Sequence, residues 1–186
     1  VEEFVDIAKA QEGQECLQCG KGVLKVSRGI EVGHVFMLQT VYAETFNAKY
    51  LNEQGKEQIM WMGTYGIGTT RLMQAIAEQQ NDEHGLIWPE SVAPYKAVVV
   101  PVNASDEIQM KLAEEVYKKF LQAGVEVLMD DRDLKAGEKF TDADLMGIPW
   151  HIVCGREAKN GKVELKNRKT GERETVEVSE VMKKFS

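Results

Sequence analysis

The chain has 186 residues, 43% of them apolar and 28% charged, and its 30 Asp+Glu against 23 Lys+Arg give a net charge of −7. That length holds one large or two small domains. No run approaches the roughly 18 apolar residues of a membrane helix, no charged-then-apolar leader precedes the first element, and three cysteines argue against a disulfide framework; a soluble, cytoplasmic protein with no membrane partner is expected.

In chain order, residues 1–10 lack an initiator methionine and read as a helix entered midway, as in a fragment of something longer. Cys16-Leu17-Gln18-Cys19-Gly20 has the spacing of half a zinc site. A closed tetrahedral site needs four ligands, and the other candidates, Cys154, His34, His84 and His151, are mostly distant in sequence, so a metal-free turn with reduced thiols is expected at Cys16 and Cys19 rather than zinc. Residues 22–27 and 30–38 read as strands joined at Gly29, residues 40–50 as helix, and residues 57–62 as a strand feeding a glycine turn. Leu72, Met73, Ile76 and Ala77 then fall at helical spacing and are expected to face a core.

Gly85, Pro89 and Pro94 break the pattern around residues 83–95. A second domain is expected beyond: a buried-type strand over 96–102, an amphipathic helix over 106–122 ending at Gly124, and a strand over 125–129. A helix near 139–146, a strand over 150–154, a hairpin turning near 167–171 and a final helix from Ser179 complete it. Strands alternating with helices predict a mixed sheet flanked by helices.

Residues 61–80 carry the most chemical information. Gly63, Gly66 and Gly68 allow close backbone approach, the helix that follows presents unpaired N–H groups and a positive dipole end, and Arg71 adds a permanent cation. A P-loop reading fails because Thr69 stands where the lysine belongs, and a dinucleotide fingerprint fails because Arg71 occupies the place of its third glycine. What remains, Gly-x-Gly-x-x-Arg at a strand-to-helix boundary, resembles motif 3 of class II aminoacyl-tRNA synthetases, whose arginine sits on the γ-phosphate of a bent ATP. A glycine turn with a surface arginine is the plainer alternative.

Charge is uneven. Residues 1–95 hold 7 Lys+Arg against 13 Asp+Glu, whereas residues 156–173 hold Arg156, Lys159, Lys162, Lys166, Arg168, Lys169 and Arg173 against Glu157, Glu164 and Glu172. The second stretch is either a patch for RNA phosphates or a solvated hairpin.

Arg28-Gly29-Ile30-Glu31-Val32-Gly33-His34-Val35-Phe36, His84-Gly85-Leu86-Ile87-Trp88-Pro89, Ala93-Pro94, Asp130-Asp131-Arg132 and the run from Gly137 to Pro149 occur in the order found in bacterial-type prolyl-tRNA synthetases. The chain resembles the C-terminal portion of that family from about Cys16 to Ser186. The resemblance implies an α/β chain: residues 1–15 as the trailing edge of an inserted editing module, residues 16–84 as the C-terminal part of an antiparallel class II catalytic sheet with motif 3, residues 85–95 as a linker, and residues 96–186 as a mixed five-stranded α/β anticodon-binding domain. It also implies a proline–tRNA ligase that uses ATP and Mg²⁺, takes proline and proline tRNA but no DNA, and works as a homodimer at full length. Class II motifs 1 and 2 have no match here, so the fragment alone is expected to be inactive.

By the same resemblance, Glu31, His34, Gly66, Gly68 and Arg71 bind ATP, with Arg71 the catalytic residue and Glu31 a candidate Mg²⁺ ligand. Phe36 and Thr64 would line the proline pocket, and Asp131, Arg132, Lys139 and Phe140 would read the anticodon. Gln39 and Thr64 depart from the family pattern, which has glycine and cysteine at those places. A non-catalytic, synthetase-like tRNA-binding protein is the alternative from a different class.

Overall fold

The computed structural model describes residues 9–185, which form two compact units dividing at Thr69/Thr70. The expected opening helix lies almost wholly outside the described residues.

In the first unit, strand β1 (Gly33–Gln39) pairs antiparallel with β4 (Met62–Ile67). Between them come a short helix α1 (Val41–Thr45) and a hairpin of β2 (Lys49–Leu51) and β3 (Glu57–Ile59). Three expectations are corrected. The strand over 22–27 shrinks to one bridge between Glu15 and Val23, because the cysteine turn consumes the neighbouring backbone groups: Cys16 N–H donates to Gly22 O at 2.7 Å and Leu24 N–H to Gln14 O at 2.8 Å. The helix over 40–50 stops at Thr45, since Asn47 turns left-handed at φ 49° and residues 49–51 are claimed by the hairpin. The glycine segment is not a turn: Gly63 and Gly66 are inside β4, and only Gly68 separates that strand from the next helix.

Helix α2 (Thr69–Gln79) falls almost entirely in the second unit. Ala75 is buried and Leu72, Ile76 and Ala77 are half-buried, but Met73, expected in the core, is 56% exposed. A two-residue ribbon, β5 (Asn81–Asp82) and β6 (Gly85–Leu86), follows.

A five-stranded sheet organises the rest of this unit. Its strands are β7 (Ala97–Pro101), β8 (Val127–Met129), β9 (Trp150–Cys154), β10 (Lys162–Asn167) and β11 (Arg173–Glu177), ordered β11-β10-β9-β7-β8. β7 runs parallel to both β8 and β9, and β9, β10 and β11 are antiparallel, so the sheet is mixed. Helix α3 (Glu107–Gln122) links β7 to β8, and α4 (Ala136–Met146) links β8 back past β7 to β9. Right-handed crossovers in opposite directions put the two helices on opposite faces.

The packing agrees. Ala97 and Val99 join Leu112, Ala113, Val116 and Phe120 of α3 in one core, while Val98 and Val100 join Ala143 of α4 and Ile148 in the other. β7 is therefore buried on both faces, which explains its unbroken apolar run. Asp106 caps α3, its carboxylate accepting from Ile108 and Gln109 N–H, and the helix ends at Gly124 with φ 68°. The closing helix α5 (Val178–Val181) is short and continues as a 3₁₀ turn over Met182–Lys184, and it seats Val178 and Val181 in the α3-side core, with Phe185 packed against them. No described helix is long and apolar enough to cross a membrane.

Candidate functional site

The β1–β4 ladder fixes which first-unit side chains meet. His34 lies opposite Gly66 and Phe36 opposite Thr64, and cross-strand partners share a sheet face, so four of the expected site residues stand together. The His34 and Phe36 rings stack at 4.0 Å with 7° between planes, and Glu31 Oε2 is 3.5 Å from His34 Nδ1. This flat platform is exposed, with Phe36 53% accessible. A Cβ on Gly66 would meet nothing, so the space above that residue is open to a ligand, whereas one on Gly33 would press to 3.1 Å from Gly66 O. Gly68 N–H donates to Val32 O at 2.8 Å, holding the strand end just before α2. Arg71 is exposed on the first turn of α2.

At Gln39, where the resemblance calls for glycine, β1 bulges and φ is 52°. That is the left-handed region, which costs a side-chain-bearing residue about 1 kcal/mol. The family pattern thus has a backbone reason that this chain overrides.

In the cysteine turn, Gly20 N–H donates to Cys16 O at 2.8 Å. Donors from the Lys21 and Gly22 amides, and then the Cys16 thiol, hold the Cys19 thiol below its ordinary range. These two sulfurs are half of a tetrahedral set, and no group of three or more His, Cys, Asp and Glu able to hold a metal is present among the described residues. Of the distant candidates, Cys154 and His151 are interior to the second unit. Burial pushes the Cys154 thiol up to about 12, and burial, then the Lys166 charge, depresses His151 to about 4.

The second unit places its expected RNA readers unequally. Asp131 and Arg132 are exposed, just past β8. The Arg132 guanidinium forks onto Asp130, Nε to Oδ1 at 2.8 Å and Nη2 to Oδ2 at 2.7 Å, and Nη2 also donates to Asp142 Oδ2 at 2.7 Å. Those contacts lower the Asp130 carboxyl and raise Arg132. Lys139 departs from the expectation: it is 1% exposed, and its Nζ donates to Pro101 O at 3.0 Å and Asp130 O at 3.3 Å. Phe140 is half-buried against Val98, Val100 and Ile148. In this arrangement Lys139 braces the Asp130–Arg132 turn from beneath and does not present itself to a base, while Phe140 belongs to the core on the α4 side of the sheet.

A cavity of about 540 Å³ opens beside that turn, lined by Leu134, Lys135, Gly137, Glu138, Thr141 and Asp142. Sequence reasoning missed Lys135 and Thr141; the signal was the polar run opening α4. The basic stretch is also rearranged. Lys166 bonds Asp144 at 2.9 and 3.0 Å, Arg168 is buried against Asp82, and Lys162 and Arg173 pair with Glu177 and Glu164. Arg156, Lys159 and Lys169 remain exposed.

Two family descriptions match successive parts of the chain, the first running through α2 and so ending past the division between the two units. Residues 12–80 match the tRNA synthetase class II core domain (G, H, P, S and T), and residues 96–186 match the anticodon binding domain. The three-layer fold of the second unit, and the glycine-bearing strand β4 that leads into the arginine-bearing helix α2, thus define part of a class II aminoacyl-tRNA synthetase. The whole chain is 49% identical to the proline–tRNA ligase of Prochlorococcus marinus (strain NATL1A), and 96% of it is 51% identical to that of Thermoanaerobacter sp. (strain X514). A solved prolyl-tRNA synthetase from Cryptosporidium parvum shares the fold, with a TM-score of 0.72 over 83% of this chain and 32% of that one, at 24% identity. The chain belongs to the prolyl-tRNA synthetase family. It spans about a third, 31%, of the length of these curated relatives.

Proposed function

We propose that the chain is the motif 3 and anticodon-binding part of a cytoplasmic proline–tRNA ligase, which activates proline with ATP and transfers it to proline tRNA. One observation carries the reading: the His34–Phe36 platform faces Gly66 and Thr64 across the β1–β4 ladder, and β4 runs directly into the helix bearing Arg71. The relatives named above are proline–tRNA ligases, and the Cryptosporidium parvum structure was solved with AMPPNP, which supports a nucleotide on this platform.

In the activation step a proline carboxylate oxygen attacks the α-phosphorus and pyrophosphate leaves. Arg71 neutralises the γ-phosphate and orients the leaving group, the platform with Gly66 and Gly68 receives the nucleotide, and Phe36 and Thr64 bound the proline ring. No side chain needs to act as nucleophile. Glu31 is one carboxylate, enough for Mg²⁺ that takes its remaining ligands from phosphate and water; the ion would spread the charge of the departing pyrophosphate.

At the other end, Asp131 and Arg132 read anticodon base edges beside the 540 Å³ cavity, with Lys139 fixing the turn that presents them. A homodimeric full-length enzyme is part of the reading. Its test is ATP–pyrophosphate exchange by the full-length protein with each amino acid in turn: exchange should depend on proline, and exchange driven by another amino acid, or none, would overturn it. A purely tRNA-binding relative would show RNA affinity without exchange.

A further inference from the structure

Arg168 is 6% exposed between two carboxylates: Asp144, whose Oδ1 is 3.4 Å from its Nε, and Asp82, 86 residues away in sequence. Its guanidinium grips Asp82 in a two-pronged pair, Nη1 to Oδ2 at 2.8 Å and Nη2 to Oδ1 at 2.6 Å, while Nε donates to Asp144 O at 3.3 Å. The pair holds the Asp82 carboxyl well below the usual carboxylate range. Forked arginine–carboxylate geometry fixes orientation as well as distance, which a lysine would not do.

The elements at the two ends of this pair matter. Asp82 adjoins Asn81, whose side-chain amide donates to Ala77 O at 3.0 Å and Glu78 O at 2.9 Å and so caps the C-terminus of α2, the helix that carries Arg71 on its first turn. Asp144 lies in the last turn of α4, whose first turns line the cavity beside Arg132 and whose Asp142 pairs with Arg132. Backbone contact seals the junction. A Cβ on Gly147 (φ 69°) would sit 2.6 Å from Leu86, and one on Gly85 (φ 136°) would run into Leu145 and come to 2.7 Å from Asp144 O. Trp88 N–H donates to Gly147 O at 3.2 Å.

We propose that Arg168 and Asp82 are positioning residues that lock the C-terminus of α2 to the end of α4, so that engagement of the anticodon face sets the placement of the Arg71 helix. This rests on the proline–tRNA ligase reading. Neither side chain is among the groups placed on ATP, proline or the anticodon, and the lock transmits only what happens at the anticodon face, so it bears on the tRNA-dependent reaction and leaves proline activation without tRNA, when that face is unoccupied, at its basal rate.

The test uses the full-length enzyme. Asp82→Asn keeps the shape and removes the charge; it should leave tRNA-independent ATP–pyrophosphate exchange within about two-fold and lower kcat/KM for cognate tRNA about 10-fold, the scale of one coupling between sites. The ratio of cognate to anticodon-altered tRNA in kcat should fall with it, and Asp82→Glu should restore that ratio. In a double-mutant cycle with Arg132→Ala, discrimination should be no worse than in the worse single variant. Exchange that falls in parallel with aminoacylation, or discrimination that survives at full strength while overall activity drops, would overturn the inference. A wild-type enzyme without proline-dependent exchange would instead strike down the functional reading beneath it.

Discussion

Replacing Lys139 separates a buried brace from a base reader. Its ammonium satisfies Pro101 O and Asp130 O from inside the fold, at 1% exposure. Lys139→Met keeps most of the stem and deletes the donor. Two carbonyls then lose a charge-assisted bond worth about 1.5–3 kcal/mol each, partly offset because an ammonium no longer has to be kept out of water, for a net loss of about 2 kcal/mol. Lys139→Ala also empties roughly three methylenes of packing and should cost about 4 kcal/mol. Urea unfolding of the 186-residue chain, followed by circular dichroism, should show the Met variant's midpoint lowered by about 1 M, since slopes for domains of this size are 1–3 kcal/mol per M. Anticodon stem-loop affinity should change less for Lys139→Met than for Arg132→Ala. An unfolding midpoint unchanged in Lys139→Met, together with lost RNA affinity, would refute the reasoning, because the ammonium would then be reaching RNA.

Arg71→Ala in the full-length enzyme should slow adenylate formation by about 100-fold, as loss of a fixed transition-state cation does, and should leave the melting temperature unmoved; pyrophosphate exchange and calorimetry decide it. Arg132→Ala should weaken the cognate stem-loop about 10- to 100-fold and blunt discrimination between anticodons, whereas Lys169→Ala should lower affinity for all RNAs and reduce the salt slope. His151 is neutral when folded because burial depresses it to about 4 from an ordinary 6.5. The unfolded chain therefore binds the extra proton between those values, so stability is complete above about pH 6.5 and declines by about 3 kcal/mol as pH falls to 4, and His151→Gln should flatten that limb of a denaturation–pH profile. Gly147→Ala should destabilise the second unit by about 2 kcal/mol or more, since it strains a left-handed residue and drives a methyl into Leu86, and a thermal melt would reveal it.

Legibility followed the range of the interactions. The second unit was readable because its signals are local: the run Val98–Val100, the apolar stripe Leu112, Ala113, Val116 and Phe120, and a hairpin whose turn falls at Asn167–Gly171. The ladder that unites His34, Phe36, Thr64 and Gly66 was visible only as residue identities, since neither strand announces its partner or its register. Glycine frequency misled at Gly63 and Gly66, which are strand residues because their cross-strand neighbours, Met37 and His34, leave them paired. Lys139, Lys166 and Arg168 looked like surface cations. Their acceptors, Pro101 O, Asp144 and Asp82, come from 22 to 86 residues away, so burial was decided by tertiary structure alone.

β7 is enclosed on every side, and its enclosure depends on chain made much later. Val178, Val181 and Phe185 finish the α3-side core, with Phe185 set edge-on against both Phe120 and Trp150. During synthesis the Ala97–Pro101 segment therefore emerges some eighty residues before its lid exists, as an uncharged, β-branched stretch of the kind that seeks out other strands. Messages truncated just short of Phe185 should yield insoluble product though they encode every strand of the sheet, and a chaperone that shelters β7 on the ribosome would raise the yield of the intact protein more than one acting after release.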